Sequence, residues 1–198
     1  MLSVPGPFGH EMTGRVAAVG GALGANGRWR EGDAVVVANS ASCGSCSACL
    51  DGRENLCADL HYLNGAYSDF LLVPERFVER STYLRPAGLA PEIAALAEPL
   101  ACVEHGLERI LRGRPEGAAS GPSRRAPGRR TLVQGAGPLG LLFAAVLSEQ
   151  GHAVTVADPH AVRLEVALRL GAKQTIHIER SWSDEYSSIE REFDRSEE

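Results

Sequence analysis

The sequence predicts two units of different fold class, an all-β unit followed by an α/β unit with a parallel sheet. In the first half of the chain, short runs of β-branched and apolar residues alternate with glycine-rich turns, which is typical of a small all-β unit. After residue 130, strand and helix patterns follow one another in the order β-α-β-α-β. That order indicates parallel strands joined by right-handed crossovers.

The first unit is predicted to contain strands and then two helices. The predicted strands are Arg15 to Val19, Ala34 to Ala38 and Tyr67 to Val73. From Pro91 onward the apolar residues take helical spacing, and a second helix is expected to start at Pro99, because proline suits a first helical turn. We therefore assign residues 1–112 to one domain.

A predicted linker, 113–130, separates this domain from the second. It is rich in glycine, proline, serine and arginine, and is expected to be flexible. The second domain, 131–178, is expected to contain strands at Thr131 to Gln134, Ala153 to Ala157 and Thr175 to Ile178, and helices at Pro138 to Gln150 and His160 to Leu170. Residues 179–198 form an acidic tail that we expect to fray.

Charge and hydropathy exclude two classes of partner. The formal net charge is -5, and the tail accounts for all of it, so the body of the chain has no general attraction for nucleic acid. The arginines between Arg109 and Arg130 fit a solvated linker better than a binding module. No apolar run reaches the roughly 20 residues that span a bilayer, and no signal peptide is evident. We expect a cytoplasmic protein without a nucleic-acid or membrane partner.

Four of the five cysteines form a cluster whose spacing predicts a metal site. They are Cys43, Cys46, Cys49 and Cys57. Three thiolates from a tight loop and a fourth from its return arm can surround one tetrahedral ion, and zinc suits an all-sulfur ligand set. Four protein ligands leave no position for a substrate, so the expected role is structural. The alternative is disulfide or redox chemistry, but the C-x-x-C pairs lack a thioredoxin-like βαβ context.

A glycine-rich turn follows the first strand of the second unit. It contains Gly135, Gly137, Pro138, Leu139 and Gly140 in a GxGxxG pattern that opens an apolar helix. The first glycine permits the tight turn, the second lets backbone amides approach a pyrophosphate, and the third allows close helix packing. The helix N-terminus then faces the negative phosphates. This context predicts a dinucleotide site.

Asp158 lies 18 residues after Gly140, at the end of the next strand, where an acidic side chain can bind the adenosine ribose hydroxyls. Its negative charge would repel the extra phosphate of NADP, so NAD is favoured. Arg163 leaves this preference open, because it is either a phosphate partner or a surface arginine. An ordinary helix N-cap is the alternative role of Asp158.

Several motifs occur together in the order of one known family. They are Gly9-His10-Glu11, the four-cysteine loop, Gly65-Ala66-Tyr67, Glu98-Pro99-Leu100-Ala101-Cys102 and the glycine turn. Over residues 4–178 the sequence resembles the zinc-dependent medium-chain alcohol and polyol dehydrogenases, especially the sorbitol, galactitol and threonine dehydrogenases. The resemblance implies a GroES-like β domain, incomplete at its N-terminus, followed by a partial Rossmann domain.

The resemblance also implies a catalytic zinc site formed by His10, Glu11 and Glu98. A zinc ion held there would polarise the hydroxyl of a secondary alcohol or polyol and promote hydride transfer to NAD. In simpler alcohol dehydrogenases a cysteine at the position of Cys102 ligates zinc. Here we favour Glu98, and expect Cys102 to be a small packed residue. We expect His105 to serve packing or hydrogen bonding.

The family further implies a cysteine ligand and strands before residue 1, and more strands after residue 178. We therefore expect a chain truncated at both ends, whose exposed apolar edges predict marginal stability or association with another chain, such as a homo-oligomer. Two functions stay open at this point. One is an active NAD-dependent dehydrogenase, and the other is an inactive zinc- and nucleotide-binding remnant of one.

Overall fold

The computed structural model describes residues 7–21, 27–111 and 128–179. The chain divides into two compact units, Met1–Cys102 and Val103–Glu198. The predicted linker falls outside the described residues up to position 127, as does the predicted tail after position 179. The domain boundaries at 112, 130 and 178 stay predictions.

The first unit is mostly β structure with short helices. Its elements are β1 (Met12–Arg15), β2 (Ala34–Val37), β3 (Ser40–Ala41), α1 (Ser47–Leu50), a 3-10 turn (Glu54–Leu56), β4 (His61–Tyr62), α2 (Glu75–Arg80), β5 (Thr82–Leu84), α3 (Pro91–Ala94) and the start of α4 (Ala97–Leu111). Strands β1, β2 and β5 form an antiparallel sheet in that order, and β3 pairs with β4. The predicted β character of this unit is confirmed.

The core of the first unit is small. Its central cluster consists of the buried side chains Met12, Trp29, Val35 and Val37, with partly buried apolar residues packed against them. Val35 and Val37 alternate along β2 with less buried neighbours, as expected for a strand with one face toward the core. The cysteine loop contributes nothing to this cluster, so its order must come from another source.

Two predicted strands were wrong in position or kind. The first strand covers Met12–Arg15 and not Arg15 to Val19, because its ladder with β2 runs from Met12 opposite Val37 to Arg15 opposite Ala34. The backbone pairs Val16 with Asp33 and Gly32, but no strand extends further.

Tyr67 to Val73 is not a strand. The alternation there reflects burial, since Leu71 and Val73 pack on the core while Phe70 and Leu72 are exposed. No β ladder includes this segment among the described strands. The alternating pattern of this segment thus predicted which side chains are packed, but it did not indicate pairing with another strand.

The two helices predicted after Pro91 are confirmed, and the second starts two residues before Pro99. Proline fits there because the first turn of a helix needs no donor at that position. The second unit includes the rest of α4, where Val103 and Leu107 are buried, as the helical spacing predicted.

The second unit has the predicted β-α-β-α-β order. Its elements after α4 are β6 (Arg130–Gln134), α5 (Pro138–Glu149), β7 (Ala153–Asp158), α6 (Ala161–Arg169) and β8 (Gln174–His177). The strands are parallel in the order β6-β7-β8. Val154 and Val156 of β7 are completely buried, with Ala144 of α5 and Ala167 of α6 in the same cluster. Each predicted boundary lies within one residue of the observed one.

Within the three described ranges, no helix is long and apolar enough to cross a bilayer.

A matched pair of leucines tests the core of the second unit. Leu147 in α5 is 5% exposed and Leu132 in β6 is 64% exposed. Leu147→Ala should lower the free energy of unfolding by about 2–5 kcal/mol, because it leaves a cavity. Leu132→Ala should change it by less than about 0.5 kcal/mol. Urea unfolding followed by circular dichroism measures both, and equal effects would contradict this packing.

Candidate metal and dinucleotide sites

The four predicted cysteines converge in the structure. The Sγ atom of Cys46 lies 3.5 Å from that of Cys49 and 3.9 Å from that of Cys57, and the Sγ atoms of Cys43 and Cys49 are 3.9 Å apart. Zinc–sulfur bonds of about 2.3 Å in a tetrahedron put the sulfurs about 3.8 Å apart. The observed separations therefore have the dimensions of a zinc site.

The local structure of the loop aims these sulfurs inward. Helix α1 carries Cys49, and the 3-10 turn delivers Cys57 from the return arm. All five cysteines of the chain are free, and no pair in the cluster approaches the S–S bond length of about 2.05 Å. The geometry supports the metal site and not the disulfide alternative.

Backbone N–H groups donate to two of the sulfurs. Cys57 Sγ accepts from Cys43 at 3.2 Å and from Asp59 at 3.3 Å, while Cys43 Sγ accepts from Cys46 at 3.4 Å and Ser45 at 3.5 Å. The hydrogen bond from the Ser45 backbone contributes most to lowering the pKa of Cys43 to about 5. Such donors favour the thiolate, which is the form that ligates metals.

Cys49 shows the opposite tendency. Partial burial, followed by the hydrogen bond with Cys46, raises the pKa of Cys49 to about 11. Burial and this hydrogen bond both favour the neutral thiol of Cys49, whereas the backbone donors at Cys43 favour its thiolate. A divalent cation removes the conflict, since it attracts all four thiolates.

Arg80 holds the loop from outside. Its guanidinium group donates to Glu54 Oε1 at 3.0 Å and to Ser42 Oγ at 3.3 Å, and it covers the backbone of Gly44. Any side chain at Gly44 would overlap this guanidinium group. The sequence analysis missed Arg80, and its position 38 residues from Ser42 gave no local signal.

A second group of ligand atoms forms at His10, Glu11 and Glu98. One atom from each side chain lies within 4.8 Å of the others, so the structure brings together the three residues predicted for a catalytic metal. His10 Nε2 is 4.0 Å from Glu98 Oε2, and the two side chains are 50% and 20% exposed. A tetrahedral zinc site with bonds of about 2.05 Å would separate its ligand atoms by about 3.3 Å. The residues fit a metal with an open side, after a small contraction.

Backbone hydrogen bonds position the first of these ligands. The Gly9 carbonyl oxygen accepts from the N–H groups of Gly65 at 2.9 Å and Ala66 at 3.2 Å. The rings of Phe8 and Tyr67 also pack together in a tilted arrangement, with ring centroids 5.2 Å apart. Backbone hydrogen bonds and this ring contact therefore hold the motifs Gly9-His10-Glu11 and Gly65-Ala66-Tyr67 together.

Cys102 is exposed and not packed, contrary to the expectation for it. Its Sγ lies 3.8 Å from Glu98 Oε1, and partial burial followed by the charge of Glu98 raises the pKa of its thiol. The contact with Glu98 gives Cys102 a hydrogen-bonding partner that the sequence analysis did not predict. His105 lies on the same helix and is exposed.

The glycine turn joins β6 to α5 as predicted. Gly135 has φ +96°, a conformation that other residues rarely adopt. A Cβ atom at Gly140 would overlap the carbonyl oxygen of Gly135, so the helix can approach the turn only with glycine there. Nothing lies within 4 Å of a Cβ built at Gly137, and Leu139 is exposed on the first turn of α5, which begins at Pro138.

Asp158 binds this turn directly. Its Oδ2 accepts the N–H of Ala136 at 2.7 Å, and its Oδ1 accepts the N–H of His160 at 2.7 Å. His160 Nδ1 is also 3.0 Å from Oδ1. Burial raises the pKa of Asp158, but the hydrogen bonds from Ala136 and His160 outweigh it and hold the pKa below its usual value. The Asp158 carboxylate is thus charged and already accepts hydrogen bonds from Ala136 and His160.

Two residues at this site were missed from sequence. Ala136 lies inside the glycine pattern but is not one of its glycines, and His160 was read only as the start of a helix. The D-x-H spacing could have indicated His160, since an Asp side chain commonly accepts a hydrogen bond from the backbone N–H two residues on. Arg163 is exposed on the first turn of α6, and its role stays open.

Removing one sulfur ligand tests the cysteine cluster. Cys57→Ser should abolish the tightly bound zinc and unfold residues 40–60 first, because the loop has little apolar core of its own. Cys102→Ser, the same exchange outside the cluster, should leave that zinc in place. Metal content and limited proteolysis under reducing conditions measure both effects. Wild-type protein with no bound zinc would contradict the assignment.

Comparison with known proteins supports the resemblance in sequence and in fold. Residues 1–82 match the alcohol dehydrogenase GroES-like domain. The chain is 38% identical over 192 residues to D-altritol 5-dehydrogenase from Agrobacterium fabrum, covering 94% of this chain and 51% of that protein. Sorbitol dehydrogenase from Bacillus subtilis is 32% identical, with coverage of 90% and 46%.

Solved structures agree with the sequence relatives. The alcohol dehydrogenase TADH from Thermus sp. ATN1 superposes with a TM-score of 0.69 at 32% identity, covering 88% of this chain and 48% of that one. The chain thus spans about half the length of the curated relatives it matches. By sequence and by fold, the chain is similar to alcohol and polyol dehydrogenases over about half of their length, and residues 1–82 match their GroES-like domain.

Proposed function

We propose that this chain forms part of an oxidoreductase that transfers a hydride from a zinc-bound secondary alcohol or polyol to NAD. The convergence of His10, Glu11 and Glu98 at a partly exposed position carries this proposal. Three nitrogen and oxygen ligands with an open side are the arrangement that catalytic zinc uses.

When bound, zinc would supply Lewis acidity to the substrate hydroxyl. The chain's own residues would orient it. His10 is held by the hydrogen-bonded Gly9 segment, while Glu98 projects from the first turn of α4 and touches Cys102. Glu98 is the less exposed of the pair, so it supplies the better-fixed ligand.

NAD is the cofactor that the second unit favours. The turn from Gly135 to Gly140 opens a helix whose N-terminal N–H groups lack helical partners and suit a pyrophosphate. Asp158 is anionic at neutral pH and lies against this turn, so it opposes a 2′-phosphate. The relatives' names support an alcohol or polyol as the substrate class, which the described side chains do not narrow further.

The alternative proposal is a zinc- and nucleotide-binding remnant without turnover. The spacing of the second ligand group favours it, because the 4.0 Å between His10 and Glu98 exceeds what a closed zinc site needs. By contrast, the four sulfurs already have zinc dimensions. A chain that binds zinc only at the four cysteines would be such a remnant, because it would lack the zinc ion that activates a substrate.

Zinc content and turnover together separate these proposals. The enzyme should hold two zinc ions per chain and form NADH with members of a panel of polyols and secondary alcohols, with NAD preferred to NADP. His10→Ala and Glu98→Gln should each lose the second ion and at least about a hundredfold of the rate, while the first ion stays.

His105→Ala is the matched control, because His105 is exposed and lies outside both ligand groups. It should keep both ions and the rate. If the wild-type chain holds one zinc ion and binds NAD but forms no NADH with any compound of the panel, only the remnant proposal stands. Activity that survives both variants would contradict this metal site.

A further inference from the structure

The carboxylate of Asp158 has little capacity left for a ligand. An ionised carboxylate offers about four acceptor positions, two on each oxygen. Oδ1 already accepts from the N–H and from Nδ1 of His160, and Oδ2 accepts from the N–H of Ala136. One position on Oδ2 is open, and none on Oδ1. Two vicinal ribose hydroxyls, one donating to each carboxylate oxygen, need a free acceptor position on both. One of the donors present must therefore leave Oδ1 before both hydroxyls can bind.

The three donors differ in how easily they can leave. The N–H of Ala136 belongs to a turn residue that is 1% exposed, and the N–H of His160 immediately precedes α6. Moving either would displace backbone that the fold holds in place. The His160 imidazole is 47% exposed, while the Asp158 side chain is 5% exposed. Rotation about a side-chain bond can release the ring into solvent and leave the backbone unchanged.

We propose that His160 limits the affinity of this site for the dinucleotide by occupying the Asp158 oxygen that one adenosine ribose hydroxyl requires. The inference rests on the proposed NAD site. The imidazole must turn away before Asp158 binds both hydroxyls. With the ring in place, only one hydroxyl is held, and the site discriminates weakly between ribose and deoxyribose nucleotides.

Removing the imidazole should strengthen nucleotide binding. His160→Ala should bind NAD about two- to tenfold more tightly than wild type in calorimetric titration, because ribose no longer competes with a hydrogen bond of ordinary strength. His160→Asn should stay near wild type, since its side-chain N–H group can reach the same oxygen. The thermal midpoints of the variants check that the fold is intact.

A neighbouring histidine supplies the matched control. His177 on β8 is also exposed, but its Nε2 contacts the carbonyl oxygen of Pro159 and not Asp158. His177→Ala should leave NAD affinity unchanged. If it tightens binding as much as His160→Ala does, loss of any nearby imidazole would explain the effect, and the proposal would be wrong.

The ligand offers an independent measurement. Wild type should lose less than about threefold in affinity between AMP and 2′-deoxy-AMP, whereas His160→Ala should lose clearly more, because it uses both hydroxyls. If folded His160→Ala binds NAD as tightly as wild type or more weakly, the proposed role of His160 is wrong, while the proposed NAD site still stands. If wild type binds neither NAD nor AMP, the proposed cofactor site fails, and this inference fails with it.

Discussion

The convergence of four thiols on one point is the constraint on which the first unit depends. In the described part of this unit, the apolar cluster around Met12, Trp29, Val35 and Val37 includes no side chain from the cysteine loop. The loop has two very short helical turns and exposes Leu50 and Leu56. Apolar burial therefore cannot order it. Thiolate–metal bonds can, because their free energy exists only when the folded loop brings all four ligands together.

The two metal-ligand groups differ in how far the protein prepares them. At the sulfur site, backbone N–H groups and Arg80 hold the ligands near their final separations. At the second group, His10 is half exposed and its nearest carboxylate oxygen on Glu98 is 4.0 Å away. A structural ion needs saturation, while a catalytic ion needs a free position and room for ligands to adjust. The looser group is the one that we propose as the catalytic site.

The cysteine cluster and the glycine turn were predictable from residue spacing. Cysteines three residues apart and glycines in a GxGxxG pattern lie close together in sequence, so the geometry of each site depends mainly on local backbone. The parallel unit was predictable for a similar reason, because its helices and strands are long enough to show their periods. The first unit was harder. Its strands have two to four residues, and the period of Tyr67 to Val73 followed packing by Leu71 and Val73 without a ladder. Contacts such as Arg80 with Ser42 join distant positions and depend on the complete fold.

Asp158 shows why a motif predicts a residue better than its role. The sequence placed it correctly beside the glycine turn and offered two functions, ribose acceptor and backbone cap. The structure gives it cap-like bonds to Ala136 and His160, which preserve its charge despite burial. These bonds fix the turn before any cofactor arrives and lower the ordering cost of binding. They also occupy acceptor positions of the Asp158 carboxylate, so fewer positions are left for the ribose hydroxyls of a cofactor. Only the exposed imidazole of His160 can relieve this conflict without disturbing the turn.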